Sequence, residues 1–457
     1  MKTKDIARNS QSDSARANGR LGDQPLLGRK SVLMGMLTSG FLIAGAAQAS
    51  TASAGTTKPV SLAAATQDAA GMSARKNGVV GNGVTDDGAA LNALLVTAAT
   101  RGIPVVLTPL STVFTTVEIV IPSNTRLNGN GATIKCGITS SIYTPTIAIS
   151  NVSNVQITNL KVDGNMAAFA PAAEHKHGIS IVTSTDVILR NVTLSSNKGD
   201  GVAIAGNNAK TCSKRITLDN VICNRNHRNG LSVMACQTLR VLHGSYSNSS
   251  GTLPQAGIDI EPNNPTDPIE DLVFTDVLIS GNAGPGFAVN LHSAPTVPQE
   301  GIQLTSCTMQ GNAGAGGLLI TAYHVTFTDC KFNNNQIGIE ADTKVNHLIV
   351  RGGVVLRNTY RGIFGVAPTM NDWLISGVKI LDNVAYGILL NGAGNFFVIK
   401  SNTIGNSTTK ATRYGIATEG PTLKDVSVIN NYVRGLSGYA LGLNDDAATR
   451  INTGNKC

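Results

Sequence analysis

Two carboxylates two residues apart, Asp259 and Glu261, form the pattern in this chain that best suits chemistry. They alternate with Ile258 and Ile260, so a strand here places both isoleucines on one face and both acids on the other. Their Cα atoms are then about 6.6–6.8 Å apart. Carboxyl groups about 6.5–9.5 Å apart admit a water molecule, as inverting glycoside hydrolysis requires. Like charges at this range also raise one pKa, which separates an acid from a base.

The same pair allows two other interpretations. Carboxylate oxygens are ligands for Ca²⁺, so the pair can also be read as part of a cation site. The third interpretation is a solvated acidic strand without function. Long loops argue against it, because function on repeat proteins concentrates where loops lengthen. The segments that exceed a minimal turn are 165–178, 207–213, 248–257 and 292–301.

A repeat in the positions of asparagine predicts the architecture that holds this pair. Eight short apolar strands each begin ten residues before an asparagine, and a glycine with alternating apolar residues usually follows. The asparagines are Asn165, Asn197, Asn226, Asn282, Asn312, Asn335, Asn358 and Asn383. A period of 23 to 33 residues with strands and turns but no helices is typical of a parallel β-helix. We therefore expect an all-β solenoid of about ten or more coils, stacked about 4.8 Å apart.

The predicted coils gather further polar side chains around the acidic strand. Arg228 lies one coil below Asp259, and Asn290 lies one coil above it. An arginine there would neutralise an acidic sugar or serve as a base. The other candidate substrate contacts are His177, Asp200, His227 and His292. Surface pairing explains any one of them, but together they span about 10–15 Å, the scale of an oligosaccharide.

Charge and composition narrow the class of partner. The 457 residues carry a net charge of +8, but the first 49 contain seven basic and three acidic residues. The remaining 29 basic and 25 acidic residues leave a mild +4, which favours an anionic partner such as a uronic acid polymer. We find no basic run with interleaved aromatic residues and therefore expect no nucleic acid partner.

Residues 1–49 are predicted to be an export signal peptide. Arg29 and Lys30 precede an apolar run over 32–47, and small residues before Ala49 suit cleavage there. The run is short and contains Gly, Ser and Thr, so we expect no stable membrane anchor. Both the secretory and the twin-arginine routes stay open. The protein is predicted to be periplasmic or extracellular.

The rest of the chain divides into three parts. We predict a flexible linker over 50–75, a β-helix domain over 76–445 and a C-terminal tail over 446–457. The domain should begin with a short capping helix that covers the open end of the solenoid. Thr85, Asp86 and Asp87 are predicted to cap this helix, which should end near Gly102 and Pro104.

Seven cysteines in an exported chain raise the question of disulfides. Cys307 and Cys330 occupy one register in successive coils, where other coils have valine, and are predicted to form a buried apolar stack. Cys212 and Cys236 are the better disulfide candidates. We find no cysteine spacing typical of a zinc site.

The segment Gly81-Asn-Gly-Val-Thr-Asp-Asp87, with the helix and proline-containing strand entry after it, resembles the opening of a known group of proteins. These are the rhamnogalacturonase/epimerase-like members of the pectate lyase-like superfamily. The resemblance covers about residues 75–440 and implies a right-handed parallel β-helix that acts on polysaccharides. Lyases, hydrolases, epimerases and phage tailspikes share this opening, so it leaves the reaction open.

Local motifs resemble three kinds of enzyme in that superfamily. Asp200 with its flanking glycines is similar to the acidic strand of polygalacturonases. The strand of Asp259 and Glu261 resembles the catalytic strand of alginate epimerases. It also resembles the carboxylates with which pectate lyases hold Ca²⁺, which implies Arg228 as the base.

These observations together predict an exported enzyme that cleaves an anionic polysaccharide by hydrolysis or β-elimination. Asp259, Glu261 and Arg228 are its predicted catalytic residues. A hydrolase would require no cofactor, whereas a lyase would hold Ca²⁺ on the two carboxylates. The alternatives are a uronate C5-epimerase and a non-catalytic glycan-binding or structural β-helix. Either a monomer or a trimer is compatible with the sequence.

Overall fold

The computed structural model describes residues 67–68, 71–107, 110–138, 141, 143–170, 173–206, 211–407, 412–420, 422–443 and 450–457. The predicted signal peptide over 1–49 lies outside these residues, as does most of the predicted linker. In the described part, strands coil into a parallel β-helix with three faces, which we call sheets A, B and C.

Sheet A contains the strands that follow the turn glycines, including the strand of Asp259, and each pairs in parallel with the equivalent strand of the next coil. Its strands are Ile119–Val120, Ile147–Ser150, Ile179–Val182, Val202–Ala205, Leu231–Val233, Ile258–Ile260, Phe287–Asn290, the first parts of Gly317–Thr328 and Ile337–Arg351, then Arg361–Gly365, Tyr386–Leu390, Tyr414–Thr418 and Leu441–Leu443.

Sheets B and C follow sheet A in each coil. Sheet B contains Gly71–Ser73, Val105–Val106, Arg126–Asn128, Cys236–Leu242, Ile269–Thr275, Gln299–Thr305, the last parts of Gly317–Thr328 and Ile337–Arg351, Thr369–Ser376, Ala393–Lys400, Thr422–Ile429 and Arg450–Thr453. Sheet C contains Asn82–Asp86, Thr112–Thr115, Thr133–Cys136, Ser245–Ser247, Leu278–Ser280, Thr308–Gln310, Lys331–Asn333, Val354–Leu356, Lys379–Leu381, Thr403–Gly405 and Tyr432–Arg434. Ser153–Asp163, Thr185–Ser195 and Ser213–Asn224 run through both sheets, and Gln67–Asp68 pairs antiparallel with Gly71–Ser73.

The predicted asparagine ladder is present as a chain of buried hydrogen bonds. The Asn312 amide donates to Oδ1 of Asn335 at 2.9 Å and to the carbonyl of Ile279 at 3.2 Å. These bonds satisfy polar groups that each bend would otherwise bury unpaired. Two members differ from the prediction. Asn165 lies outside the ladder, because Gly164 packs against Asn197, and Ser249 fills the coil between Asn226 and Asn282.

A second asparagine ladder, which the sequence did not predict, forms at the bend between sheets B and C near the C-terminal end. Asn402 donates to Oδ1 of Asn431 at 2.9 Å, and Asn431 donates to Oδ1 of Asn455 at 3.0 Å. Lower coils have cysteine, valine or glycine at this bend, for example Cys330, Val277 and Gly353. Cys307 and Cys330 are buried there in successive coils, which confirms the apolar stack. All seven cysteines, including Cys212 and Cys236, are free thiols.

The capping helix spans Gly88–Arg101 and ends on Gly102, which has a left-handed φ of 67°. Asp87 is at the N-cap position, but its side chain does not cap the helix as predicted. Its two carboxylate oxygens accept the backbone N–H groups of Val80 and Gly81 at 2.7 and 2.8 Å and so hold the preceding turn. Single 3₁₀ turns span Arg75–Asn77 and Met166–Ala168. Within the described ranges, helices are too short or too polar to cross a bilayer.

Strand pairing extends beyond both predicted domain boundaries. Gly71–Ser73 pairs with Val105–Val106 although residues 50–75 were predicted to be a linker. Arg450–Thr453 pairs with Thr422–Ile429 although residues 446–457 were predicted to be a tail. An end strand pairs here because a β-helix offers an open edge of N–H and C=O groups at each end.

Candidate functional site

The strand Ile258–Ile260 divides its side chains between the core and the outer face of sheet A, as predicted. Ile258 and Ile260 are fully buried in the continuous core, and Asp259 stands in register with Ser232 below and Ala288 above. Although Asp259 lies on this outer face, only 4% of it is exposed. Neighbouring side chains cover it, and Asn229 is one of them.

Asn229 holds the centre of this buried group. Its amide donates to Oδ2 of Asp259 at 3.2 Å and to the hydroxyl of Ser232 at 3.0 Å. Its carbonyl oxygen accepts the backbone N–H of Ala256 at 2.9 Å, and its own backbone N–H donates to Oδ1 of Asp200 at 3.0 Å. Asn229 therefore fixes two acidic side chains relative to each other.

Arg228 and Asp200 form a buried ion pair. The guanidinium is 3.2 Å from Oδ2 of Asp200, and 6% of Arg228 is exposed while Asp200 is fully buried. Burial opposes the charge of Arg228, but the nearby acidic groups, Asp200 foremost, more than offset it and raise the pKa of the guanidinium. Arg228 thus stays protonated, and it is a source of positive charge inside the group.

His177 lies one coil below Asp200 and is neutral. Burial is the main reason that its pKa falls to about 4, with His175 and Arg228 adding to the fall and Asp200 opposing it. Nδ1 of His177 accepts the backbone N–H of Asp200 at 3.1 Å, which places the ring proton on Nε2. The 3.3 Å contact from Nδ1 to Oδ2 of Asp200 is therefore not an ion pair.

The two carboxyls of the acidic strand have different environments. Burial, with the nearby charge of Glu261, raises the pKa of Asp259 well above its ordinary value, while Arg228 acts in the opposite direction. Glu261 is half-buried, and its Oε1 accepts a hydrogen bond from the amide of Asn290 at 3.0 Å. Burial and the neighbouring negative charge therefore favour the protonated form of Asp259.

Six of the predicted site residues form one connected group: His177, Asp200, Arg228, Asp259, Glu261 and Asn290. The other two lie at its rim. The ring of His227 packs against Gly251, where a Cβ would lie 2.0 Å from its Nδ1, and so supports the loop 248–257. His292 donates its backbone N–H to Oε1 of Gln299 at 2.8 Å, while its half-buried ring hydrogen-bonds none of the described residues of the group.

Sequence reasoning missed Asn229 and Tyr143, whose ring packs against that of His175. These two rings stack with centroids 5.5 Å apart, and His175 is 6.1 Å from His177. Asn229 had a usable signal, since it precedes a turn glycine as Asp200 does. Tyr143 had none, because its contact depends on how a loop folds over the sheet.

The donor set around Asp259 fits a calcium ion poorly. Ca²⁺ takes six to eight oxygen ligands, whereas this group supplies three carboxyls, one of which, Asp200, is already paired with the guanidinium of Arg228. Across the described ranges, acidic, histidine and cysteine side chains nowhere gather in a group of three that would hold a metal.

The family description "Right handed beta helix region" matches residues 145–316, which include the whole acidic strand and its neighbouring coils. The chain has the right-handed parallel β-helix fold of the pectate lyase-like type. A second description, "Periplasmic copper-binding protein (NosD)", matches residues 296–436. These matches confirm the predicted fold and its handedness.

Known proteins add to this likeness without fixing an activity. The uncharacterized protein YclG of Bacillus subtilis is 25% identical over 219 residues, which are 42% of this chain and 38% of YclG. Gene product 12 of bacteriophage phi29 has a TM-score of 0.53 at 13% identity, over 83% of this chain and 51% of that one. The A-module of the mannuronan C-5 epimerase AlgE6 of Azotobacter vinelandii has a TM-score of 0.47 at 16% identity, over 84% and 98%. At these identities the structural likeness shows the fold alone.

Proposed function

We propose that this protein is an exported enzyme that hydrolyses an anionic polysaccharide, with Asp259 as the general acid and Glu261 as the base that activates water. The contrast between the two carboxyls carries the proposal. Asp259 is buried with a raised pKa, while Glu261 is partly open to solvent. Pairs of acidic groups in such different environments divide the roles of acid and base in glycoside hydrolysis.

The chemistry assigns one proton transfer to each side chain. The carboxyl of Asp259 gives its proton to the glycosidic oxygen as the bond to the leaving sugar breaks. Glu261 accepts a proton from the water that attacks the sugar from the opposite face. Asn229 holds Oδ2 of Asp259, so the proton resides on the other oxygen.

The state of Arg228 favours hydrolysis over β-elimination. A lyase needs a base that removes a proton from the sugar ring, and Arg228 was the predicted candidate. Its ion pair with Asp200 and its raised pKa keep it protonated. We assign Arg228 a different part, in which its charge compensates the negative charge that a uronic acid brings to the site.

A non-catalytic glycan-binding protein is the second candidate function. The observation in its favour is the burial of the central group, since only 4% of Asp259 and 6% of Arg228 are exposed. A polar network that is this deeply buried and hydrogen-bonded is also compatible with a purely structural role.

Incubation with a panel of uronic acid polymers separates these readings. New reducing ends without an unsaturated product support hydrolysis. Ultraviolet absorbance from an unsaturated uronate indicates a lyase, and inversion at C5 without cleavage indicates an epimerase. Glycan that is bound but unchanged indicates a binding protein.

Substitution of the acidic strand then tests the assigned residues. We expect Asp259→Asn and Glu261→Gln each to lower kcat about 10²–10⁴-fold, the usual contribution of general acid–base catalysis. Asp372→Asn is the matched control, because its carboxylate is exposed on sheet B and pairs with His347. Full turnover by folded Asp259→Asn would rule out the assignment.

Export is part of the proposal. It is supported by the predicted signal peptide over 1–49 and by the word periplasmic in the description that matches residues 296–436. Fractionation of cells that express the full chain tests it. We expect a mature protein outside the cytoplasm whose N-terminus follows Ala49, and a full-length cytoplasmic protein would contradict it.

A further inference from the structure

The register position before the turn glycine changes character along sheet A. In the lower coils it contains His177, Asp200 and Asn229, which belong to the site described above. The next four coils have Ala256, Pro285, Ala315 and Ile337. The upper coils have Arg361, Tyr386, Tyr414 and Tyr439. One face of the β-helix thus carries a polar cluster at one end and an aromatic cluster at the other.

The three tyrosines form a continuous stack, which we call the tyrosine ladder: Tyr386, Tyr414 and Tyr439. The ring centroids of Tyr386 and Tyr414 are 4.8 Å apart, and those of Tyr414 and Tyr439 are 4.3 Å apart. All three rings are partly exposed, with Tyr439 at 39%. Stacked rings present their edges and hydroxyls, so the ladder offers a row of phenol groups to solvent.

Glu419 ties the ladder together. Its Oε1 accepts the hydroxyls of Tyr386 at 3.0 Å and Tyr439 at 3.3 Å, and the residue is exposed. Burial raises the pKa of Tyr439 to about 12, and that of Tyr386 is also raised. These two phenols therefore remain hydrogen-bond donors at neutral pH. The surface is ordered before any ligand arrives, which lowers the entropy lost on binding.

Arg361 extends the ladder toward the acidic site and carries an unpaired donor. Its guanidinium lies 3.9 Å from the ring centroid of Tyr360 and 4.0 Å from that of Phe364. It donates to the hydroxyl of Tyr360 at 2.6 Å, but its buried Nε has no hydrogen-bond partner among the residues that the structure describes. A buried donor without an acceptor is costly, so an incoming oxygen atom would be stabilised here.

We propose that the tyrosine ladder, with Arg361 and Glu419, is a second glycan-binding surface that holds the non-reacting part of a polysaccharide chain. The inference rests on the proposed function, since the chain is the one that would react at Asp259. Arg361 lies four coils above the coil of Asp259, about 19 Å at 4.8 Å per coil, on the same face. A polymer lying along the β-helix axis therefore reaches both clusters.

The chemistry of the surface fits a glycan. The phenol oxygens of the ladder and the carboxylate of Glu419 accept hydrogen bonds from sugar hydroxyls, and Arg361 binds a uronate carboxylate or a ring oxygen. Tyrosine also supplies a large contact area at low conformational cost. Binding at the ladder is therefore expected to strengthen with the length of the chain, because only a long chain spans both clusters.

The test measures binding as a function of chain length in the Asp259→Asn protein, in which the proposed reaction is stopped. Calorimetric titration would compare uronic acid tetrasaccharides with polymer for Tyr414→Ala and for Glu419→Gln. We expect Tyr414→Ala to weaken polymer binding about tenfold, with a smaller loss for the tetrasaccharide. Glu419→Gln keeps the stacked rings and should weaken polymer binding in the same direction. Tyr432→Ala is the control, because this tyrosine is 45% exposed on sheet C.

The outcomes separate this inference from the proposed function. If polymer binds the ladder but the wild-type protein does not cleave it, the proposed hydrolase function is wrong and the proposed binding surface is supported. If the folded Tyr414→Ala and Glu419→Gln proteins bind polymer with unchanged affinity, the proposed binding surface is wrong. The proposed hydrolase function is not affected by that result. Absence of polymer binding to both the wild-type and the Asp259→Asn protein would also overturn the proposed surface, since the ladder would then be structural. A dimer that the Tyr414→Ala substitution dissociates would overturn it as well, since the ladder would then be an interface between copies.

Discussion

Asn229 donates its side-chain amide to the buried carboxyl of Asp259 across 3.2 Å while its backbone N–H holds Asp200 across 3.0 Å. One uncharged residue therefore sets the distance between an acid with a raised pKa and an ion-paired carboxylate. The hydrogen bond from its side-chain amide stabilises the ionised form of Asp259 and partly offsets the rise in the pKa of Asp259 that burial causes. Asn229 is a positioning residue on the proposed mechanism.

Replacement of Asn229 should move the pH dependence of the reaction. In Asn229→Ala the bond that favours ionised Asp259 is lost, so the pKa of Asp259 rises further. If Asp259 is the general acid, the alkaline limb of the kcat profile should then shift to higher pH. Rate–pH profiles on a polymer that the protein cleaves would measure the shift. Asn371→Ala on sheet B is the control, and an unshifted limb in Asn229→Ala would argue against a protonated Asp259 in catalysis.

His177 should make the protein less stable in mild acid. Its pKa in the folded state is about 4, below the ordinary 6.5, because the ring is buried. The unfolded chain therefore binds a proton that the folded chain refuses, and this contribution to stability falls as pH decreases from about 6.5 to about 4. In His177→Gln that dependence should disappear, so the unfolding free energy should vary less with pH across this window. Denaturant titrations at several pH values test this, and parallel wild-type and variant curves there would contradict it.

The buried asparagine ladder should be more important for stability than an exposed column of asparagines on the outside of the β-helix. In this column Asn220 donates to Oδ1 of Asn191, and Asn191 donates to Oδ1 of Asn159. Asn312→Ala leaves the backbone N–H of Asn282 and the carbonyl of Ile279 without these partners. The expected loss is about 2–6 kcal/mol of unfolding free energy, because each of these two buried unsatisfied groups costs about 1–3 kcal/mol. Asn220→Gly is the control, since Asn220 is exposed and has a left-handed φ of 52° that glycine adopts readily. Equal losses in both variants would show that burial is not the cause.

Removal of divalent cations should leave hydrolysis intact. The two carboxyls of the acidic strand lie beside the guanidinium of Arg228, and that charge opposes a second cation at the same place. We expect unchanged turnover after chelation with EDTA and dialysis. Activity that is lost on chelation and restored by Ca²⁺ would instead support the calcium-dependent lyase, with Asp259 and Glu261 as ligands.

The repeat explains why so much of the fold was predictable. Asn282, Asn312 and Asn335 recur in one register because each bend buries polar backbone groups that the asparagine of the next coil satisfies. The inward direction of Ile258 and Ile260 follows in the same way from strand alternation. Periodic constraints of this kind are written directly into residue spacing.

Two wrong predictions concern residues whose contacts lie outside the regular repeat. Asp87 was expected to cap a helix by its side chain but instead holds the turn at Gly81, since the nearby loop offers two backbone donors. Asn165 was expected in the ladder, but its predecessor Gly164 takes the place against Asn197. Because the loops between strands vary in length, the spacing of residues in the sequence does not reveal a one-residue shift of a coil relative to the next.

The amino-acid sequence by itself determined the solenoid, the direction of the acidic strand and the six polar residues that meet there, because stacking repeats these positions coil after coil. Only the tertiary structure decided that Asp259 is covered, that Asn229 joins it to Asp200, and that three tyrosines continue the same face. The physical reason is that the burial and the pKa of a side chain depend on which loops fold over the sheet. Loops do not follow the sequence repeat, so their positions cannot be read from it.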